Sequence, residues 1–261
     1  MTRPAVIVTR PAREAQLWVN ALQEAGWNAL ALPLIDIAPP TDIRALERCR
    51  QHWQTYDAVM FVSAQAVTGF MGAAASACSS TGVRCWAPGP GTARALHNAG
   101  VPVDRIDAPS ADAEQFDSEA LWAVVAHQIK PGFRLLIVRG ESQGQHPGQR
   151  GNGRDWLAKQ CESAGARVDW CVAYQRRAPQ WTSIELQAAQ QHAQDSSLWL
   201  FSSSEALAHL AKLAPKVSWA GARAVVTHPR IAQAAQGLGF GAIITTRPAL
   251  PDVLRSLSLT H

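Results

Sequence analysis

Small hydroxyl residues recur where short apolar runs end, and they are the groups of this sequence best placed to do chemistry. Ser63 follows the run 58–62, Thr92 follows Gly91 after the run 83–87, and Ser203 and Ser204 follow 198–201. Thr9 and Arg10 close the run 5–9, Arg139 and Gly140 follow 135–138, and His228 and Arg230 follow 224–227. Hydroxyls and the unpaired backbone amides of a helix N-terminus, here those near Ala64 and Gly91, favour anions. Arginine adds a planar fork that pairs with carboxylate or phosphate. Such a set suits a polycarboxylate. Ser63, Thr92 and Ser203/Ser204 read equally well as plain helix N-caps, each contributing about 1 kcal/mol without any ligand. Tyr174 is one of two tyrosines and adjoins the proline-bounded segment 174–179. Its phenol can donate a proton or a hydrogen bond, or can simply pack with its hydroxyl at the surface.

Other chemistries lack their signatures. Gly89-Pro90-Gly91 lacks the third glycine of a dinucleotide loop, and Arg139-Gly140 lacks the Gly-Lys-Ser/Thr of a P-loop. Ser63 has no G-x-S-x-G frame. No His/Cys spacing supports a metal, and the five cysteines show no C-x-x-C and read as reduced, mostly buried thiols. No cofactor and no metal is expected. Basic residues outnumber acidic ones for a net charge of +4, and all but Lys130, Lys159, Lys212 and Lys216 are arginines. They are scattered, which argues against a nucleic-acid stripe. The arginine bias fits either an acidic ligand or a compositional habit. No apolar run is long enough for a membrane span, and the opening Arg3-Pro4 with its short apolar run leads us to expect no signal peptide. With 47% hydrophobic and 17% charged residues the chain has the composition of a folded protein.

The elements that must position these residues alternate. Strands are predicted at 5–9, 28–32, 58–62, 83–87, 103–106, 135–138, 168–173, 198–201, 224–227 and 242–246. Helices are predicted at 12–25, 43–52, from Ser63 through Phe70, from Gly91 to Asn98, and at 111–126, 154–164, 184–194, 204–213, 231–237 and from Asp252. The stretches 33–40 and 174–179 are proline-bounded. Strands alternating with helices mean α/β architecture, with parallel sheets covered on both faces. Ligands of such sheets bind outside the carboxyl ends of the strands, where the hydroxyls and arginines lie. Trp18, Trp53, Trp122, Trp156 and Trp199 fall on apolar periodic positions and read as core.

The chain also repeats itself at an offset of about 139 residues. Phe61 to Ala66 returns as Phe201 to Ala206, Arg84 to Gly100 as Arg223 to Gly239, Gly26 as Gly165, and Pro40 as Pro179. Val8-Thr9-Arg10 answers Val138-Arg139-Gly140 at a shorter offset, the difference being supplied by the Gly/Gln/His stretch 143–153, which reads as an inserted loop holding His146. Two copies imply two similar domains, and two similar domains imply a cleft.

Several segments together resemble the uroporphyrinogen-III synthase family: VIVTRPAREAQLWVNALQEAGWNALALPLIDIAP from Val6, DAVMFVSAQAV at 57–67, APGPGTARALHNAG at 87–100, GARVDWCVAYQRRAP at 165–179, LWLFSSSEAL at 198–207 and the closing HPRIAQAAQGLGF. The resemblance implies two flavodoxin- or Rossmann-like three-layer domains joined by a two-stranded linker, with an active-site cleft between them. Domain 1 would comprise 1–36 plus 176–261 and domain 2 would comprise 37–175, with crossings near 33–40 and 173–180. It implies a cytoplasmic, monomeric lyase of haem biosynthesis that cyclises hydroxymethylbilane, a linear tetrapyrrole with eight carboxylates, without cofactor. Transient contact with the upstream deaminase is expected, but no nucleic-acid or membrane partner. Tyr174 matches the family's candidate proton donor, and Ser63, Thr92 and Ser203 fall within matching motifs. Arg230-Ile231 departs from the family's hydroxyl pair, and Arg230 could stand in as a carboxylate partner. The alternative is a non-catalytic tetrapyrrole- or ligand-binding regulatory module on the same fold. Retention of Tyr174, Ser63 and Thr92 favours the enzyme.

Overall fold

The computed structural model describes residues 4–71, 82–110, 117–144 and 152–259, with side chains of the last stretch from residue 155 onward. The first half carries β1 (Val6–Val8), α1 (Ala12–Glu24), β2 (Ala29–Ala31), β3 (Asp36–Ala38), α2 (Ile43–His52), β4 (Ala58–Phe61), α3 (Ala64–Met71), β5 (Arg84–Trp86), α4 (Pro90–Asn98), β6 (Ile106–Asp107) and α5 (Ser118–Val125). The second half carries β7 (Arg134–Ser142), α6 (Asn152–Ser163), β8 (Arg167–Arg177), α7 (Ser183–His192), β9 (Leu198–Phe201), α8 (Ser204–Leu213), β10 (Arg223–Val226), α9 (Pro229–Leu238), β11 (Ala242–Thr245) and α10 (Leu250–Ser258).

The chain divides into two compact units, residues 1–37 with 177–261 and residues 38–176. Unit 1 holds a five-stranded sheet in the order β2-β1-β9-β10-β11, parallel throughout. Numbered along the chain within the unit, that order is 2-1-3-4-5, the flavodoxin-like winding. Successive residues of a strand point to opposite faces, and here both faces are apolar. Ile7, Trp199, Phe201, Ala224 and Val226 pack with Ala189, Leu207, Leu210 and Ile231 of α7, α8 and α9. Val6, Val8, Leu198, Leu200 and Val225 pack with Val19 and Leu22 of α1 and Val253 and Leu257 of α10. The result is three layers. Trp199, Trp219 and Phe240 meet edge-on and stacked on the first face, with centroids 5.0 to 6.4 Å apart.

Unit 2 orders its strands β3-β8-β7-β4-β5-β6. From β8 to β6 the pairs are parallel, and β4 is buried along its whole length, as in a sheet covered on both faces. β9, β10 and β11 correspond to β4, β5 and β6, and β1 and β2 correspond to β7 and β8. The two units therefore share one winding, entered at different points: unit 1 begins with the pair β1-β2, whereas unit 2 ends with it. Gly26 and Gly165, matched in the sequence repeat, both follow the helix of that pair with left-handed φ of 80° and 94°. Only a residue without Cβ adopts that turn readily.

Some expectations need correction. The segment 103–106 is a 3-10 turn at Val103–Arg105 followed by the short β6; Val103 is 68% exposed and finds no apolar partner layer to hold it extended. Gly89 caps α4 and Pro90 is its first residue, so Thr92 lies inside the first turn and does not cap it. Proline suits that position because its missing N–H would have had no helical partner. Trp53 and Trp199 are core, but Trp18, Trp122 and Trp156 are only half-buried. The expected helix at 111–126 appears as α5, capped by the Asp117 carboxylate accepting from the Ala120 amide; residues 111–116, Cys78 and most of the 143–153 stretch, including His146, lie outside the described residues.

Candidate active site

In an open α/β sheet the crevice for ligand opens where the winding reverses, at the carboxyl ends of the two strands flanking that point. In unit 2 these strands are β4 and β7. β4 stops at Phe61, paired with Val138, but β7 runs on to Ser142 against β8 alone. The β7–β8 extension contains a β-bulge: Arg139 pairs with Val172, yet Gly140 pairs with Tyr174, leaving Ala173 as the extra residue. A bulge resets the alternation of side chains. Tyr174 and Arg176 consequently stand opposite Gly140 and Ser142.

The Tyr174 ring lies directly on the Gly140 backbone. A Cβ built at Gly140 would collide with the Tyr174 ring, so only glycine leaves room. From there the Tyr174 hydroxyl reaches to 3.3 Å from Ser63 Oγ. Ser63 Oγ also accepts from the Ala66 amide at 3.1 Å, so one hydroxyl caps α3 and touches the phenol. The tyrosine is 5% exposed. Beside Ser63, the first residues of α3 and α4 bound an open hollow of about 300 Å³ lined by Ser63, Ala64, Gly89, Gly91 and Thr92 among others. Two helix N-termini contribute amides there, which suits a carboxylate.

The other tyrosine is committed elsewhere. Tyr56 donates to Asp169 at 3.0 Å, and burial with that hydrogen bond pushes its phenol up to about 12.

The remaining expected residues fall into two sets. Arg139 is 9% exposed, on the alternate side of β7 from Gly140, with its guanidinium 5.3 Å from the Trp170 ring and 3.9 Å from Glu141. In unit 1, Thr9 is buried and donates to the Leu200 carbonyl at 2.7 Å. Arg10 stacks over Trp18 at 4.1 Å and pairs with Glu14 at 3.2 Å. Burial lowers its pKa, while Glu14 opposes that shift. Ser203 caps α8 by accepting from the Glu205 amide at 3.1 Å, and Ser204 is that helix's first residue. His228 caps α9 through Nδ1, accepting from the Arg230 amide at 3.1 Å, and Arg230 is exposed in its first turn. All of these lie at carboxyl ends of β1, β9 and β10, as the topology requires. In unit 2 the structure brings Tyr174, Ser63, Ala64, Gly91, Thr92 and Gly140 to one end of the sheet. Sequence reasoning missed Ser142 and Arg176; the signal available was the i, i+2 spacing of Tyr174 and Arg176, which places two strand residues on one side.

A family model for uroporphyrinogen-III synthase HemD matches residues 16–254. The chain belongs to the uroporphyrinogen-III synthase family. Solved structures agree on the fold. The uroporphyrinogen-III synthetase of Helicobacter pylori is 14% identical, with 99% of each chain covered and a TM-score of 0.59. A mutant uroporphyrinogen III synthase of Thermus thermophilus is 14% identical over 98% of this chain and 97% of that one, with a TM-score of 0.51. Membership of the uroporphyrinogen-III synthase family makes the protein an enzyme of haem biosynthesis acting on a tetrapyrrole.

Proposed function

We propose that the chain converts hydroxymethylbilane to uroporphyrinogen III, a hydro-lyase reaction that closes the macrocycle, expels water and inverts the last ring. The observation that carries this reading is the Tyr174–Ser63 hydroxyl pair at the sheet's switch point, in a chain of this family. The chemistry asks little of a catalyst beyond position. A pyrrole nitrogen expels the terminal hydroxyl to leave an azafulvene. Unassisted, the free carbon of the last ring closes on it and gives the wrong isomer. Attack from the substituted carbon gives a spiro intermediate, which fragments and recloses with that ring inverted.

Tyr174 protonates the departing hydroxyl, and the proton released when the last pyrrole regains aromaticity restores the phenol. Ser63 holds the phenol oxygen in place. The amides at the starts of α3 and α4, with Thr92 beside them, bind substrate carboxylates and fix the rings so that the substituted carbon approaches first. At the carboxyl ends of β1, β9 and β10, Ser203, Ser204, His228 and Arg230 supply further carboxylate contacts, while Thr9 and Arg10 shape the loop after β1. The reaction needs no cofactor. A cytoplasmic monomer receiving its labile substrate by transient contact with the upstream deaminase fits the same reading. Among the described residues no helix is long and apolar enough to cross a membrane.

The test supplies freshly made hydroxymethylbilane and separates the product isomers by chromatography. Isomer III is expected, and isomer I alone would refute the assignment. Tyr174→Phe is expected to lower turnover by about 100-fold or more, the usual worth of a placed general acid. A folded Tyr174→Phe protein with wild-type turnover would remove the acid role.

A further inference from the structure

The Tyr174 phenol has a cationic neighbour to which the chemistry above gives no task. Arg176 follows two residues later on β8, and the bulge at Ala173 places both side chains opposite Gly140 and Ser142. Arg176 Nη2 donates to Ser142 Oγ at 2.9 Å. Its Nη1 lies 3.5 Å from the Tyr174 phenol oxygen, and the guanidinium carbon is 5.9 Å from the ring centroid. Ser142 therefore holds one edge of the fork while the other edge is directed at the phenol oxygen.

A guanidinium has donors and no acceptor. Its N–H can approach the Tyr174 oxygen only along a lone pair, which turns the phenolic hydrogen away from Arg176. The hydrogen is left to point at Ser63 Oγ or at a bound substrate. When that hydrogen transfers, negative charge develops on the phenol oxygen beside a fixed cation, the arrangement that stabilises a transition state without reorganisation. We propose that Arg176, anchored by Ser142, is the positioning residue that sets Tyr174 as a proton donor, orienting its O–H towards the leaving hydroxyl and taking up the charge left behind. This rests on the acid role of Tyr174. The phenol O–H bond breaks as the substrate C–O bond breaks, water departs, and the proton later lost from the closing pyrrole re-forms the phenol.

The test is steady-state kinetics of the full chain with hydroxymethylbilane. Arg176→Gln is expected to lower kcat by about 10- to 100-fold with KM little changed, the pattern of an interaction made only in the transition state. Arg176→Lys should recover part of that loss, because an ammonium also only donates. In a Tyr174→Phe background, Arg176→Gln should cost no further kcat. Ser142→Ala, which leaves the guanidinium but removes its bond to the Ser142 hydroxyl, should lower kcat by a smaller factor, and it serves as the second variant if Arg176→Gln fails to fold. A raised KM at unchanged kcat in Arg176→Gln would reduce Arg176 to a substrate contact and overturn the proposal. An equal loss of kcat with and without Tyr174 would overturn it too, as would unaltered kcat in both Arg176→Gln and Ser142→Ala. Wild-type turnover in Tyr174→Phe would refute the acid role itself, a result separable from any of these.

Discussion

Single residues in this protein act through what their neighbours leave them to do. Several arginines are structural: Arg50 donates to the carbonyls of Gly69 and Phe70, Arg84 pairs with Asp107, Arg177 with Asp36 at 2.7 Å, and Arg223 binds the Ser196 carbonyl. Each fork closes carbonyls or carboxylates that a helix or strand end leaves over. The thiols differ as sharply. Cys49 and Cys171 line a hollow of about 210 Å³ beside Trp170 and Glu141. The Cys171 S–H donates to the Cys49 sulfur, which favours the Cys49 thiolate; burial opposes this and Arg48 assists it, and the result brings Cys49 down to about 7. Its partner is pushed up, first by that same bond and then by burial. Burial and the nearby Glu162 push Cys161 up to about 12. A lowered thiol pKa means that the thiolate fraction grows on raising pH through neutrality, where an ordinary thiol remains mostly protonated. Iodoacetamide labelling of the native protein, read by peptide mass mapping, should thus modify Cys49 far ahead of Cys161 at pH 7.5. Its rate should rise across pH 6 to 8, and Cys171→Ala should slow it. Equal rates at Cys49 and Cys161 would contradict this.

At the scale of elements, the site depends on how closely α3 approaches β8. A Cβ at Gly69 would meet the Ala173 carbonyl oxygen at 2.7 Å, so the helix packs backbone against backbone at the very residue that forms the bulge. Arg50 fixes the same turn by donating to the Gly69 carbonyl at 2.6 Å. Phe61 and Phe70 meet edge-on at 5.6 Å and hold α3 on β4. Gly69→Val should force α3 outward, cost about 1–3 kcal/mol as overpacking does, and disturb the bulge that aims Tyr174. Thermal unfolding and turnover measured together should both fall. An unchanged melting temperature with unchanged turnover would show that the contact is not needed.

For the whole molecule the consequential fact is that two like sheets are entered at different points of one winding. Unit 2 is continuous in sequence, whereas unit 1 is assembled from both ends of the chain. The chain leaves unit 1 along β3 and returns along β8, which are neighbours in one sheet. Strand neighbours lie about 5 Å apart, so a short Gly/Ser linker can replace residues 38–176 without stretching the ends. A fragment of residues 36–177 is expected to fold alone, giving an α/β circular dichroism spectrum and a cooperative thermal transition. The joined chain 1–37/177–261 should do likewise. A featureless melt from the 36–177 fragment would show that unit 2 needs the rest of the chain.

Much of this was written in local sequence. Apolar runs of four or five residues, helix spacing and the punctuation by glycine and proline specify the α/β order, because burial on both sides of a parallel sheet leaves its own pattern. The repeat specifies two like units, and the ends of the apolar runs specify where polar side chains must emerge. Which of them meet was decided elsewhere. Tyr174 and Arg176 together reach Gly140, Ser63 and Ser142 because one extra residue, Ala173, shifts the pairing of β8 against β7. A shift of one residue sends every later side chain to the other side of the strand. Arg139 and Arg10 likewise follow strand ends, and their neighbours in the fold are Trp170 and Glu141 for the one and Trp18 and Glu14 for the other. Local propensity determines where a strand ends; the direction of a side chain near that end belongs to the register with its neighbour, and that register exists only once the sheet has formed.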